Sequence, residues 1–497
     1  ACLALLFGYF GPWMPELIMH KGYSVERIAT TLSLTTEGIF GLPTGVAATF
    51  VFIFILFGAF LDKTGAGTFF INLSYSVTGR FSGGPAKTAV VASGFMGSVA
   101  GSAVANVVAT GSFTIPMMKK IGYRPHVAAA VEAAASTGGQ LMPPIMGAGA
   151  FLMAEFTQTP YLEIIKIALV PAVLYFFSVI LFVHFEAQKH GIWGLSKKEL
   201  PNFGQTIKDG IHFIIPVGIL IGVLVMNYSP MMAGFIAIIA VYFTALIRKQ
   251  SRISFGTLIK TLEQGANNAI MVAVACAAAG IIVGIVNLTG TGLRFSSLVV
   301  SLSQGIPLLA LLLVAFTSLL LGMGLPVTAS YIVLIILAGP GLMDLGIPLL
   351  TAHMVVFWYS QDANVTPPVA LESFAASGIA GSSPMKTAFT SWKLAKGLYI
   401  IPIIMVYHPL LLNGTTGEVL LTIVLSILAI IAFVVCLERY FLTALSWPET
   451  ILQGIAAIIL IWADRTFNYI GMALFLSLVI FQIVMKKKRP GRKHQSL

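Results

Sequence analysis

Long apolar runs, separated by short polar or basic connections, make up most of this chain. Several runs approach the ~20 residues that a helix needs to cross the ~30 Å hydrocarbon core of a bilayer, among them residues 44–61 and 161–185. Two further runs are interrupted by Pro-Pro dipeptides, at Pro143-Pro144 and Pro367-Pro368. The pattern predicts an all-α polytopic membrane protein in which two helices are broken within the membrane.

The two broken runs belong to a repeated arrangement. Each follows an apolar stretch that is itself split by small residues, at Gly101-Ser102 in the first case and at residues 322–326 in the second. Pro143 and Pro367 are 367 − 143 = 224 residues apart, and adding this offset to Gly101 reaches position 325, inside the second cluster. Interrupted apolar segments at matching positions of two halves point to the binding site of a secondary transporter.

Loop charges predict that the two split stretches are re-entrant hairpins that enter from opposite sides. Lys87 and Lys119-Lys120 flank the first one, and basic loops lie on the cytoplasmic side. The second ends in residues 338–344, which contain no basic residue, so it should enter from the other side. We therefore predict inverted-topology repeats, and the basic residues 486–489 predict a cytoplasmic C-terminus.

The predicted spans, hairpins and basic loops divide the chain into five parts. They are N-terminal spans with an interfacial helix (1–87), the first repeat (88–185), a cytoplasmic linker with scaffold spans (186–264), the second repeat (265–396), and C-terminal spans with a basic tail (397–497).

Composition narrows the class of protein. Of the 497 residues 57% are hydrophobic and only 9% are charged, which describes a chain solvated by lipid. The formal charge of +11 is distributed in short loop clusters, so it indicates membrane topology rather than nucleic-acid binding. There is no phosphate-binding Gly-rich loop, no metal motif and no nucleophile-base pair. We therefore predict neither an enzyme nor a cofactor.

The breaks supply the candidate chemistry. Non-helical backbone inside a membrane survives only where protein or a watery cavity satisfies it. A half-helix that begins at a break directs N–H groups toward an anion, and one that ends there directs carbonyl oxygens toward a cation such as sodium. The predicted sodium ligands are Gly101, Ser102, Asn106, Gly138, Gly139 and Gln140 in the first repeat and Gly324, Thr328, Asp362 and Thr366 in the second. Ser102, Ser330 and Asn364 are candidates for contacting an anionic substrate.

Other interpretations of these residues stay open. Small residues also allow helices to pack closely, and for Ser102 and Thr366 packing and function are equally well supported. Asp362 is either a cation ligand or the cap of the following half-helix. Glu155 is expected at the interface, whereas the sequence does not decide the role of Glu132.

Three long motifs carry a resemblance to a known family. GSAVANVVATGSFTIPMMKKIGYRP, AVEAAASTGGQLMPPIMGAGAFLMAEF and YSQDANVTPPVALESFAASGIAGSSPMKT resemble the large membrane subunit of the tripartite ATP-independent periplasmic (TRAP) transporters. More narrowly, they look like the fused branch that works with TAXI-type binding proteins. One departure is Ala100 in Ala100-Gly101-Ser102, where many relatives have serine, so a hydroxyl ligand is excluded at this position.

The resemblance implies a sodium-driven, elevator-type importer of a small carboxylate in the bacterial inner membrane. Its partners would be a periplasmic TAXI-type binding protein and a small four-helix membrane subunit, either fused upstream or separate. Hairpin tips and Pro-Pro breaks would hold sodium and substrate, which adds Pro143 and Pro367 to the substrate contacts. The alternatives are a sodium/carboxylate symporter that needs no binding protein and, less well supported, an ion channel subunit.

Overall fold

The computed structural model describes residues 1–16, 18–196, 198–248 and 251–488. The described chain is helical throughout, apart from one isolated β-bridge between Tyr440 and Ala444. Eight of its helices are long and apolar enough to cross a membrane. Lys197 and Lys249, which the sequence places in basic loops, and Arg489 of the basic tail lie outside the described residues.

The helices outside the two hairpins and the two broken helices fall into two sets by length. The longer ones are Leu42–Thr64, Tyr161–His190, Phe203–Val225, Pro230–Ala245, Phe255–Thr289, Thr416–Glu438, Trp447–Leu460 and Arg465–Lys488. The shorter ones are Cys2–Tyr9, Val25–Leu34, Ala66–Thr78, Thr291–Leu302, Pro384–Leu394 and Gly397–Tyr407.

The first repeat consists of a helical hairpin followed by a broken helix. The hairpin arms, Gly84–Ala100 and Ala103–Lys120, pack against each other. Gly101 ends the first arm with a φ of +66°, in the left-handed region that glycine adopts without strain. The broken helix comprises Pro125–Gly139 and Ala148–Thr157, and its first half packs on both hairpin arms.

The second repeat has the same order of elements. Its hairpin arms are Pro307–Gly322 and Val327–Asp344, and its broken helix comprises Leu349–Tyr359 and Leu371–Ala380. Gly324 has a φ of +74° at the hairpin tip. At 1.5 Å per residue the two halves of this broken helix measure about 16 and 15 Å, each about half the thickness of a bilayer core. The interruption therefore falls near the middle of a membrane-spanning path.

The second half of each broken helix packs against the other repeat. Leu371–Ala380 lies on the first arm of the first broken helix and on Ala103–Lys120. Ala148–Thr157 lies on Val327–Asp344 and Leu349–Tyr359. Lys119 at the end of the first hairpin also donates a hydrogen bond to the carbonyl oxygen of Ala380, 2.8 Å away. The two repeats thus exchange their terminal halves and form one interlocked unit.

Most spans follow the sequence prediction, with differences at their ends. The predicted boundary at residue 265 falls inside one helix, Phe255–Thr289, because Ser254 caps its start and residues 255–264 continue the helix. The apolar stretch 451–485 is two helices, separated at residues 461–464 by a turn in which Asp464 accepts a hydrogen bond from the backbone N–H of Thr466.

Candidate functional site

The first break brings the hairpin tip and the broken helix into direct contact. Gln140 follows the last helical residue, Gly139, and its Nε2 donates a hydrogen bond to the carbonyl oxygen of Gly101, 3.3 Å away. Gly97 on the hairpin faces Gly139, and a Cβ on either glycine would lie 2.5 Å from the Cα of the other. Side chains on these two residues would therefore separate the elements that form the site.

Ser102 has an identifiable local role at this tip. Its side-chain oxygen accepts a hydrogen bond from the backbone N–H of Ala105 at 3.4 Å, so it caps the second hairpin arm. The backbone N–H of Ile145, beyond the Pro-Pro dipeptide, donates to the carbonyl oxygen of Ser98 at 3.2 Å. The first break is thus attached to the first arm and to the tip of the hairpin.

Gly138 and the Pro-Pro dipeptide define the edges of the first break. A Cβ on Gly138 would lie 2.4 Å from the ring of Tyr175, so this glycine packs against a neighbouring helix rather than facing the hairpin tip. Pro143 and Pro144 are joined by a cis peptide bond, and Met146 has a φ of +62°. The second break has the same features at the 224-residue offset: a cis bond at Pro367-Pro368 and a φ of +38° at Ala370.

Asp362 lies at the centre of the second break. It is 1% exposed and belongs to a 3-10 turn, Asp362–Asn364, between the two half-helices. One carboxylate oxygen accepts a hydrogen bond from the Thr366 hydroxyl at 2.6 Å, and the other accepts from the Tyr399 hydroxyl. The next half-helix begins only at Leu371. The interpretation of Asp362 as its cap is therefore wrong; the carboxylate instead accepts hydrogen bonds within the break and from the helix Gly397–Tyr407.

The hairpin tip of the second repeat packs closely on this turn. A Cβ on Gly322 would lie 2.8 Å from the Cβ of Ala363 and 3.0 Å from Oγ of Ser330. Thr328 and Ser330 belong to the first turn of Val327–Asp344 rather than to the loop, and both are buried. Asn364 is buried in the turn, and Pro367 is partly exposed at its end. The structure therefore groups Ser330 with the Asp362 turn, as the sequence predicted.

Four buried side-chain oxygens at the two breaks have no hydrogen-bond partner among the described residues. They are Asn106 Oδ1 and Gln140 Oε1 in the first repeat and Ser330 Oγ and Gln361 Oε1 in the second. Buried polar atoms in folded proteins are normally satisfied. An oxygen-rich set of this kind is the donor chemistry that hard cations prefer. The residues present at both breaks therefore fit a cation such as sodium.

Two buried acidic residues connect elements around the breaks. Glu132 on Pro125–Gly139 accepts hydrogen bonds from hydroxyls on both hairpin arms, Ser93 at 2.6 Å and also Thr110 and Thr114. Glu372 begins the second half of the other broken helix and accepts from the Thr137 hydroxyl. The hydroxyl of Thr137 thus joins the broken helices of the two repeats one residue before Gly138.

Sequence reasoning missed Glu372, Thr137 and Tyr399. Glu372 lies in an ordinary amphipathic pattern, and Tyr399 is 37 residues beyond the carboxylate that it contacts, so neither stands out before the fold is known. One signal was present for Glu372: it follows a Pro-Pro break within an apolar segment, where an ionisable residue is a candidate functional group by default. Glu155, expected at the interface, is partly exposed.

Comparisons with known proteins give a consistent picture. Residues 2–412 match the family model described as "Tripartite ATP-independent periplasmic transporter, DctM component". The chain is 23% identical over 400 residues to the isethionate TRAP transporter permease protein DctMQ of Oleidesulfovibrio alaskensis, covering 76% of this chain and 61% of that protein. It is 24% identical over 397 residues to the C4-dicarboxylate TRAP transporter large permease protein DctM of Pseudomonas aeruginosa, covering 79% and 90%. It is also 23% identical over 328 residues to the 2,3-diketo-L-gulonate TRAP transporter large permease protein YiaN of Escherichia coli, covering 66% and 76%. The match thus spans less than two thirds of the isethionate permease.

Proposed function

Because this chain belongs to the DctM-component family of TRAP transporters, the large membrane permeases, we propose that it imports a small organic acid by sodium-coupled symport. The acid is presented by a soluble periplasmic binding protein. The chain is a transporter permease and not an enzyme. The proposal places both transported species at the two breaks.

The observation that carries sodium coupling is the set of four unpartnered buried oxygens at the breaks, together with the Asp362 carboxylate. Such atoms cost free energy in a membrane interior unless a ligand or water satisfies them. Sodium supplies this partner without requiring any group to change protonation. In this scheme Asn106 and Gln140 contribute to one cation site, and Asp362 with Thr366 contributes to another.

The substrate class follows from charge and from the relatives. The three relatives are named for isethionate, a C4-dicarboxylate and 2,3-diketo-L-gulonate, all of which are organic anions. Each break also precedes a half-helix, beginning at Ala148 or Leu371, whose free backbone N–H groups favour a carboxylate or sulfonate. We therefore propose a small organic anion that contacts Ser102, Ser330 and Asn364, with Pro143 and Pro367 shaping the site.

The assembly and motion belong to the same proposal. The chain works in the bacterial inner membrane with its C-terminus in the cytoplasm, beside a small four-helix membrane subunit and a binding protein of the TAXI type. Transport proceeds by an elevator motion in which the interlocked repeats carry the site across the membrane. The exchange of terminal halves between the repeats supports movement as one unit.

Uptake into proteoliposomes tests the proposal. The chain and its small subunit would be reconstituted and given labelled C4-dicarboxylates, isethionate or sugar acids, with or without an inward sodium gradient and a TAXI-type binding protein. We expect uptake only when both the gradient and the binding protein are present, and we expect Asp362→Asn to raise the sodium concentration that uptake requires. Uptake with sodium alone would identify a symporter that needs no binding protein. Uptake that persisted without sodium would refute the coupling.

A further inference from the structure

A cavity of about 490 Å³ lies away from both breaks. It is enclosed by the beginning of the first broken helix, the end of Tyr161–His190 and one face of Pro384–Leu394, with Glu438 at its edge. None of the described residues that line it belongs to either break. The cavity is therefore separate from the proposed transport site.

The charged groups of this cavity leave one cation without a partner. Glu186 accepts a hydrogen bond from Arg124 at 2.8 Å, and Glu438 forms an ion pair with Lys393 at 2.6 Å. Lys386 also lines the cavity, but its ammonium group forms no hydrogen bond or ion pair with any residue that the structure describes. With the histidine neutral, the lining carries one more positive than negative charge.

The remaining lining is largely apolar and is arranged beneath the charges. Val127, Val131 and Val183 are buried in its wall. Lys386, Phe389, Thr390 and Lys393 follow the i, i+3, i+4, i+7 spacing of a single helix face, so they all point into the same space. Phe389 is 56% exposed, although it is a large apolar side chain at the rim of a charged opening.

We propose that this cavity binds an anionic phospholipid, with the headgroup phosphate against Lys386 and an acyl chain along Phe389 and the valines. A site with a cationic rim and apolar walls suits an amphiphile better than a fully hydrated anion, because only an amphiphile satisfies both surfaces. Basic pockets between helices at the cytoplasmic side of membrane proteins bind such headgroups. The basic loops next to the cavity place it on the cytoplasmic side of the membrane.

A lipid in this cavity would contact two structural elements at once. The cavity wall combines the first broken helix with Tyr161–His190, so a bound lipid contacts an element of the site and a long neighbouring helix at once. The side chain of Lys386 is exposed on the outer face of its helix, which allows its substitution without disturbing the buried face.

Native mass spectrometry of the purified chain tests the assignment. The protein would be equilibrated with phosphatidylglycerol or, separately, with phosphatidylcholine, and the lipid retained per protein would be measured. We expect selective retention of phosphatidylglycerol and a loss of about fivefold in its apparent affinity for Lys386→Gln, the contribution of one basic residue near an anionic headgroup. Lys260→Gln, an exposed lysine away from the cavity, is the matched control and should retain lipid normally.

A second variant and a competitor keep the test decisive. Phe389→Ser should also weaken phosphatidylglycerol retention, because it removes the proposed acyl-chain contact at a position that is already exposed. Equal retention of the two lipids by the parent chain, or identical behaviour of Lys386→Gln and Lys260→Gln, would overturn the proposal. Displacement of the lipid by millimolar inorganic phosphate would identify a site for a free anion instead.

Discussion

Gly139→Ala is the substitution that most directly probes how the first break is built. Its Cβ would lie 2.5 Å from the Cα of Gly97 and 3.1 Å from the carbonyl oxygen of Ser93. Both neighbours are backbone atoms of the hairpin, so no side-chain rotation can relieve the contact. The broken helix and the hairpin must separate instead.

The size of the effect follows from these distances. Ordinary van der Waals contact begins near 3.4 Å, so the two elements must move apart by roughly 1 Å, and overpacking of this kind costs about 1–3 kcal/mol. The same movement acts on Gln140, the next residue, whose hydrogen bond to Gly101 is already 3.3 Å long. We therefore expect both a lower free energy of unfolding and the loss of the Gln140–Gly101 contact.

Unfolding measured in detergent, with and without sodium, separates the two effects. Gly139→Ala should lower the free energy of unfolding by about 1–3 kcal/mol and reduce the additional stabilisation by sodium. Gly222→Ala is the matched control, because nothing lies within 4 Å of its Cβ and alanine is the better helix former. Unchanged stability and an unchanged sodium response in Gly139→Ala would refute the packing argument.

Three further predictions concern other contacts. Asp362→Asn places an amide beside the Thr366 and Tyr399 hydroxyls and should raise the sodium concentration for half-maximal uptake at least tenfold, because a charge-assisted hydrogen bond contributes about 1.5–3 kcal/mol. Thr137→Val leaves Glu372 without its hydroxyl donor and should lower the free energy of unfolding by about 1–3 kcal/mol in a denaturant titration. Hydrogen bonds from Ser196 lower the pKa of Glu199 in its loop. The Glu199 carboxylate therefore stabilises the fold above the ordinary carboxyl pKa, and this stabilisation is lost as the pH falls through the lowered pKa of the folded state. Glu199→Gln should remove this pH dependence of the melting temperature.

Each of these predictions has its own control and contrary outcome. Thr244→Val removes a hydroxyl that donates only to backbone carbonyls of its own helix, and it should cost less than Thr137→Val. Equal losses in the two valine variants would mean that Glu372 gains nothing from Thr137. If Asp362→Asn left the sodium dependence of uptake unaltered, this carboxylate would be excluded from the cation site. If the melting temperature of Glu199→Gln changed with pH as in the parent chain, the Ser196–Glu199 contact would not contribute to the pH dependence.

The repeat architecture could be predicted from the sequence because its signals are local. Pro-Pro dipeptides and clustered glycines interrupt helices through their own backbone restrictions, and both breaks were expected at Pro143 and Pro367. The position of Asp362 within a break could be read in the same way. Whether Asp362 is a cap or a ligand could not be predicted, because the answer depends on where the next half-helix begins. That helix begins at Leu371, nine residues later.

Contacts between the repeats were beyond the reach of sequence patterns. The hydrogen bond between Thr137 and Glu372 joins residues 235 positions apart, and no periodicity in either segment indicates it. Gly138 shows a second limit: it stays a predicted sodium ligand, and the structure adds that its Cα packs against the ring of Tyr175. A glycine beside a break either lets two helices pack closely or leaves room for a ligand. Only the residues that surround it in the folded structure distinguish these two roles.

The exchange of terminal halves between the repeats restricts how the two breaks can open. Ala148–Thr157 and Leu371–Ala380 each pack on the opposite repeat, and Lys119 of the first hairpin donates a hydrogen bond to Ala380 at the end of the second half-helix. Neither repeat can swing aside as an independent gate without first breaking contacts to its counterpart. In the proposed transport cycle, access to the two breaks therefore changes in the same step, and the bound species leave together rather than one after the other.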